Sequence, residues 1–215
     1  MNVKDFTNEF IFEFKKKICK LFEIDLRALV VLRVAFGFIL FYDLITRFLD
    51  IKTFFSDDGL FPRVFLYKLA PYKWSFSLMS INGSLIFQII FFFIAFIFVF
   101  LFMAGYKTKI TSIILWIIIL SIQNRNPFLN YGADNAIIAF LFWMMFLPLG
   151  YRFSASGKSF KTVSNLATFA YFIQIATIYF ITAVAKSGKE WCYEGSAVFY
   201  ALNMDSYATG LGIHI

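Results

Sequence analysis

Long apolar runs separated by short polar connections fill most of the chain. The clearest run, Ile81 to Ala104, carries no charge. About 20 apolar residues let a helix cross the hydrocarbon core of a bilayer. The pattern therefore predicts an all-α fold, a polytopic membrane bundle of about five transmembrane helices. The predicted spans are Leu26–Leu49, Ile81–Ala104, the stretch that follows the turn Gly105 to Lys109 and runs to about Ile122, Ala133–Leu149 and Leu166–Ala185.

The first 25 residues show a different pattern. Apolar side chains recur every four positions, with basic and acidic residues between them, at Phe6, Phe10, Phe14, Ile18 and Phe22. This spacing predicts an amphipathic helix with a basic polar face. Such a helix would lie on the membrane surface or pack on the protein's own cytoplasmic side. The expected domains are thus residues 1–25, interfacial, and 26–215, transmembrane and C-terminally incomplete.

Composition explains why lipid must be the solvent. Apolar residues make up 60% of the chain, charged residues only 15%, and mean hydropathy is +0.75. A soluble domain has about 25% charged residues, and so short a chain cannot bury this much apolar surface in one aqueous core. The net charge of +7 is then best matched to anionic lipid, and no nucleic-acid-binding motif is present.

The loops also carry an orientation signal. With the N-terminus inside, the predicted topology places 11 Lys and Arg residues on the cytoplasmic side and 8 outside. Because cytoplasmic loops are enriched in basic residues, we expect a multi-pass protein of the cell membrane with a cytoplasmic N-terminus.

Polar residues that border the predicted spans gather on one face. Odd-numbered spans end, and even-numbered spans begin, on the same side of the membrane. Ionisable groups at membrane helices are costly and usually pair or face a cavity, so this face is the predicted site. The candidate substrate-binding residues are Asp43, Arg47, Arg125, Asn126, Asp134 and Trp191.

Two of these candidates have structural alternatives. Asp43, Arg47 and Asp50 follow i, i+4, i+7 spacing and form one helical stripe, which would line a cavity or hold helices together as an ion-pair ladder. Asp134 follows Gly132 at a predicted helix start, where a carboxylate caps free N–H groups or pairs with Arg125.

Lys186 is the candidate catalytic residue. It directly follows a long apolar span, and desolvation there would make neutral amine available as a base. The alternative is an ordinary interfacial lysine. The only histidine, His214, has no partner motif, and neither a metal-ligand spacing nor a GxSxG, HExxH or phosphate-loop motif is present.

Several short motifs, in order along nearly the whole chain, resemble the HTTM (horizontally transferred transmembrane) domain of the vitamin K-dependent gamma-carboxylase family. The most specific are the Ser-Asp-Asp-Gly and Lys…Trp segments. The matching stretches are Leu32 to Gly37, Asp43 to Arg47, Phe55 to Gly59, Pro62-Arg63, Gly105 to Thr108, Arg125-Asn126-Pro127, Gly132-Ala133-Asp134, Phe146 to Gly150 and Lys186 to Trp191.

The resemblance implies a function. Gamma-carboxylases oxidise vitamin K hydroquinone and carboxylate protein glutamates, and a lysine after a membrane helix, ahead of a Trp, is the base that deprotonates the hydroquinone. Lys186 matches that position. The resemblance therefore implies a reduced, vitamin K-like quinone as cofactor and a carbon–carbon lyase or quinol-oxidising activity, with Arg47 and Arg125 stabilising developing negative charge.

Two departures count against glutamate carboxylation. The family's Asn-His pair before a membrane helix is replaced here by Tyr131-Gly132-Ala133-Asp134, and the large soluble domain that binds the protein substrate is lacking. A second hypothesis is therefore a non-catalytic accessory protein for maturation or export of, or immunity to, a secreted peptide. A transporter ranks third, because there is no inverted second half. The expected partners are the bilayer and either a lipid-soluble small molecule or a peptide.

Overall fold

The computed structural model describes Glu13, Lys17 and residues 20–68, 75–151 and 162–204. This part of the chain is mostly helical. Its strands are two residues long and pair with each other in antiparallel orientation. The all-α prediction is therefore confirmed. The helices are α1 Leu26–Leu49, α2 Ile51–Phe55, α3 Arg63–Lys68, α4 Leu85–Ala104, α5 Thr108–Arg125, α6 Gly132–Met144, α7 Leu166–Ala185, α8 Lys189–Cys192 and α9 Ala197–Leu202; the strands are β1 Ile24–Asp25 and β2 Thr162–Val163, and short 3₁₀ turns occupy Leu78–Ser80 and Pro127–Leu129.

Local signals set the ends of the long helices. Asp25 caps α1, because its carboxylate accepts a hydrogen bond from the Arg27 N–H at 2.8 Å. Ser84 caps α4 in the same way, so this helix begins four residues later than the sequence pattern predicts. Gly105 ends α4 with φ 78°, a left-handed conformation that glycine adopts at little cost.

Three helices are long and apolar enough to cross a membrane: α1, α4 and α7. The predicted number of about five is not confirmed. Helix α6 has 13 residues, or ~20 Å at the α-helical rise, and is too short to cross the hydrocarbon core alone. Helix α5 has 18 residues, but Gln123, Asn124 and Arg125 at its end lower its hydropathy.

Helices α1, α4, α5 and α6 pack in chain order, each against the next. Phenylalanine rings fill the contact between α1 and α4: Phe41 lies against Phe96 and Phe100, while Phe48 lies against Phe92 with ring centroids 5.9 Å apart. Gly37 lets the two helices approach closely, because a Cβ there would meet the Met103 side chain.

The outer faces of these helices are also apolar. Large hydrophobic side chains are exposed along α1, α4 and α7, among them Phe38, Ile90, Phe93, Ile97 and Phe180. An apolar face this continuous is incompatible with water and is satisfied by acyl chains. The helices therefore indicate a lipid bilayer environment and an integral membrane protein.

The chain divides into two compact units, Met1–Phe172 and Ile173–Ile215, each of which is described by itself. The boundary between the two units lies within α7, and the expected division at residue 25 stays a prediction. The predicted amphipathic helix falls largely outside the described residues.

Candidate functional site

Arg47 is the centre of an ion-pair cluster in the first unit. It lies near the end of α1, and its Nε donates to Asp43, one helical turn earlier, at 2.9 Å. Its Nη2 donates to Asp134 at the start of α6, at 2.6 Å. Arg47 and Asp134 are both buried, so the pair joins α1 to α6 in a dry environment.

Asp134 also caps α6. Its second carboxylate oxygen accepts the Tyr131 N–H at 2.6 Å, which satisfies a free donor at the helix start. The predicted capping is observed, but the arginine paired with Asp134 is Arg47 and not Arg125. Asn130 completes this region, since its amide donates to the Gln123 carbonyl at 3.0 Å.

An open cleft of about 370 Å³ borders this cluster. Asp43 and the exposed Asp50 contribute carboxylates to it, while Phe54 and Tyr131 contribute aromatic surface. Since the Nε and Nη2 groups of Arg47 are held by Asp43 and Asp134, hydrogen-bond acceptors dominate the polar lining. The lining residues are Asp43, Thr46, Arg47, Asp50, Phe54, Phe55, Leu129 and Tyr131. We call this space the acidic cleft.

Arg125 belongs to a second cluster, organised by Asp57. Its guanidinium is fully buried and donates to the Phe61 carbonyl at 3.1 Å and to Asp57 Oδ1 at 3.3 Å. Arg63 binds the same carboxylate through its backbone N–H and its side chain, the latter at 2.7 Å. Asp57 thus connects the loop before α3 to the end of α5.

Two further contacts tie this cluster to the start of α4. Arg63 Nη1 donates to the Ser80 and Ile81 carbonyls at 2.9 and 3.0 Å, and the Asp57 N–H donates to the Gly83 carbonyl at 2.9 Å. The pKa of Asp57 reflects these contacts: partial burial alone would raise it, but the hydrogen bonds from Arg63 and the charge of Arg125 outweigh burial, so the pKa lies below the ordinary 3.8.

Asn126 also holds backbone. Its amide donates to the Phe54 carbonyl at 3.1 Å, fixing the wall of the acidic cleft from behind. Its buried Oδ1 and the buried Nε of Arg125 have no hydrogen-bond partner within the described residues. Neither Arg125 nor Asn126 lines the acidic cleft, so their contacts place them behind it.

Lys186 and Trp191 lie together in the second unit. The Lys186 ammonium is 4.4 Å from the centroid of the Trp191 ring, a cation–π geometry. Both residues are exposed within this unit. Their grouping with the candidates of the first unit stays a prediction.

Sequence reasoning missed Asp57 and Arg33. The sequence did contain a signal for Asp57: the Ser56-Asp57-Asp58-Gly59 turn is followed by the basic residue Arg63, which could pair with it. Arg33 is buried and donates to the Leu149 carbonyl; an isolated arginine in an apolar run gives no sign of such a partner 116 residues away.

Among the described residues, no group of three or more His, Cys, Asp and Glu side chains could hold a metal ion. Comparison of the chain with protein-family models, with curated proteins and with solved structures gives no match.

Proposed function

We propose that the chain is an integral membrane protein of the HTTM type whose acidic cleft binds a reduced, quinone-like molecule. The observation that carries the proposal is the lining of the cleft, in which the carboxylates of Asp43 and Asp50 are the charged acceptors and aromatic rings form the walls. A quinol has phenolic O–H donors on a flat aromatic ring, and both features match such a lining.

The same lining favours the reduced over the oxidised form. A quinone has only acceptor oxygens and needs donors from the protein. Arg47 is the basic residue among the described lining residues, and its donors already face acceptors: Nε faces Asp43, Nη2 faces Asp134, and Nη1 lies 3.5 Å from Asn130 Oδ1. A quinol would donate to Asp43 and Asp50, and a hydrogen bond to a charged acceptor is among the stronger ones.

Binding of the two redox forms tests the proposal. We expect a short-chain benzoquinol, titrated anaerobically into the detergent-purified protein, to bind at least about tenfold tighter than the matching benzoquinone. Asp50→Asn should weaken quinol binding about tenfold, because it replaces a charged acceptor by a neutral one. Asp58→Asn, an exposed acid outside the cleft, is the matched control and should bind as the unaltered protein does.

Equal affinity for quinol and quinone, or an Asp50→Asn variant that binds as well as Asp58→Asn, would contradict the proposal. A peptide that co-purifies with the protein in place of a quinol would favour the accessory role.

Turnover is a separate part of the proposal, resting on the resemblance that makes Lys186 the base. A neutral lysine amine takes up a quinol proton, whereas an arginine stays protonated. With dioxygen supplied in the assay as the two-electron oxidant, Lys186→Arg should therefore keep the cation over Trp191 yet lose quinol oxidation, as Lys186→Ala should. Unchanged turnover in either variant would end the enzymatic version while leaving the binding proposal standing.

We also propose that α5, and α6 together with the turns that extend it to Leu149, complete the predicted five passes, with the N-terminus in the cytoplasm. Support comes from the contacts at their ends. Three residues separate the end of α4 from the start of α5, and α5 ends at Arg125, which bonds Asp57 beside the start of α4. Helix α6 begins beside Arg47, and the turn after it brings Leu149 to Arg33 near the other end of α1.

A further inference from the structure

A second cavity, of about 570 Å³, lies at the opposite end of the first unit. It includes Leu26, the first residue of α1, whereas the acidic cleft lies at the end of that ~36 Å helix. The two cavities share no lining residue. The lining residues are Leu26, Lys107, Thr108, Lys109, Ile110, Leu147, Pro148, Gly150 and Tyr151; we call this space the basic cavity.

The walls of the basic cavity are apolar, and the charged residues that line it within the described part of the chain are basic. Leu26, Ile110 and Leu147 provide hydrocarbon surface, and no carboxylate is present among the described lining residues. Lys107 and Lys109 are exposed at its edge. Within the described ranges neither ammonium has a carboxylate partner; Lys107 lies 5.7 Å from the Tyr106 ring. An apolar wall beneath unpaired ammonium groups is complementary to an amphipathic anion.

Thr108 supplies a polar group inside the cavity. Its side chain is only 9% exposed, lines the cavity, and brings its hydroxyl close to Gly150, another lining residue. In the part of the chain that the structure describes, this Oγ1 atom has no hydrogen-bond partner. The oxygen is not among the fully buried polar atoms, so it is accessible to a ligand in the cavity and can donate a hydrogen bond to it.

The start of α5 adds donors at the same place. Thr108 is the first residue of this 18-residue helix, and no side chain caps it. The first N–H groups of a helix have no intrahelical acceptor and carry partial positive charge, which suits a phosphate group.

We propose that the basic cavity binds an anionic phospholipid. The phosphate lies between Lys107, Lys109 and the Thr108 hydroxyl, and an acyl chain covers the wall formed by Leu26, Ile110 and Leu147. A zwitterionic lipid would bring its own cation beside the two ammonium groups, and free phosphate would leave the apolar wall uncovered. The site shares no residue with the acidic cleft and stands whether or not a quinol binds there.

Thermal stabilisation by added lipid tests the site in the full-length protein in a neutral detergent. The probes are a short-chain phosphatidylglycerol, the phosphatidylcholine with the same chains, and inorganic phosphate. We expect saturable stabilisation by phosphatidylglycerol and little by the other two. Lys107→Gln with Lys109→Gln should weaken the apparent phosphatidylglycerol affinity roughly 10- to 30-fold, given the contribution of a basic residue near an anionic lipid.

Lys52→Gln with Lys68→Gln removes the same charge from exposed positions outside the basic cavity and should change the affinity less than about twofold. Thr108→Val keeps the side-chain shape and should also weaken binding. Native mass spectrometry, counting retained phosphatidylglycerol, provides a second readout for any variant with altered intrinsic stability. Equal effects of the two lipids, binding of inorganic phosphate as tight as that of phosphatidylglycerol, or identical affinities of the two lysine double variants would overturn the proposal.

Discussion

Arg47 stabilises the first unit because two carboxylates from different helices share it. Asp43 lies on the same helix as Arg47, while Asp134 belongs to α6 and is 87 residues away in sequence. Forming such a buried set gains little net free energy, since all three charges lose water. Removing the cation is costly, because it leaves two carboxylates without compensation.

Arg47→Met should therefore destabilise the protein by about 3–5 kcal/mol. Denaturant unfolding in detergent, followed by circular dichroism, measures this loss. Arg27→Gln, which breaks the exposed pair with Asp25, is the control, and its effect should be far smaller. Similar losses in the two variants would show that the buried cluster does not hold α1 to α6.

Asp57 gives a second residue-scale prediction, in pH. Its folded pKa lies below 3.8, so it contributes stability that is fully present above the unfolded value and is lost as pH falls through the folded value. Between about pH 5 and about pH 3, the melting temperature of Asp57→Asn should fall less than that of the unaltered protein. The melting temperature of Asp58→Asn should fall with pH as steeply as that of the unaltered protein. An equally steep fall for Asp57→Asn would contradict the ion-pair assignment.

At the scale of elements, the start of α4 depends on a close approach. A Cβ at Gly83 would meet the Asp57 carboxylate, which Arg63 and Arg125 hold in place. The carboxylate cannot move aside without losing those bonds, so the glycine allows the loop to reach the helix.

Gly83→Ala should cost about 1–3 kcal/mol of unfolding free energy, the usual range for overpacking. Gly132→Ala is the matched control, because a Cβ there meets nothing within 4 Å. If Gly83→Ala leaves the free energy of unfolding unchanged in the same assay, the Asp57 carboxylate can shift to make room for the added Cβ.

The sequence predicted the helices better than their ion pairs. Hydrophobic length alone predicted the bounds of α1 and α7, because lipid requires long uninterrupted apolar runs. Periodicity also predicted the Asp43–Arg47 pair, since i, i+4 neighbours share one helix face. Periodicity could not predict which residues on different helices or loops would pair with each other. Arg125 bonds Asp57 only because the loop 56–62 folds back toward the end of α5, and that path depends on turns and glycine contacts.

At the scale of the whole molecule, the proposed passes place the α4–α5 turn and the Asp57 loop on opposite sides of the membrane. In a protein with Cys19 and Cys192 replaced by Ser, the variants Asp58→Cys and Phe128→Cys should react with an impermeant thiol reagent from the same side. Lys107→Cys should react from the other, cytoplasmic side. Labelling of Phe128→Cys together with Lys107→Cys would mean that α5 does not cross.

The Asp57 cluster also has a consequence for biogenesis. Its carboxylate binds Arg63, six residues later in the chain, and Arg125, which the ribosome adds 68 residues later. In a nascent chain that has inserted only α1 and α4, Arg63 is the only one of the two arginines that can bind this carboxylate. The carboxylate gains its second arginine only when α5 has been inserted. Insertion of α5 is therefore the step that completes the Asp57 cluster.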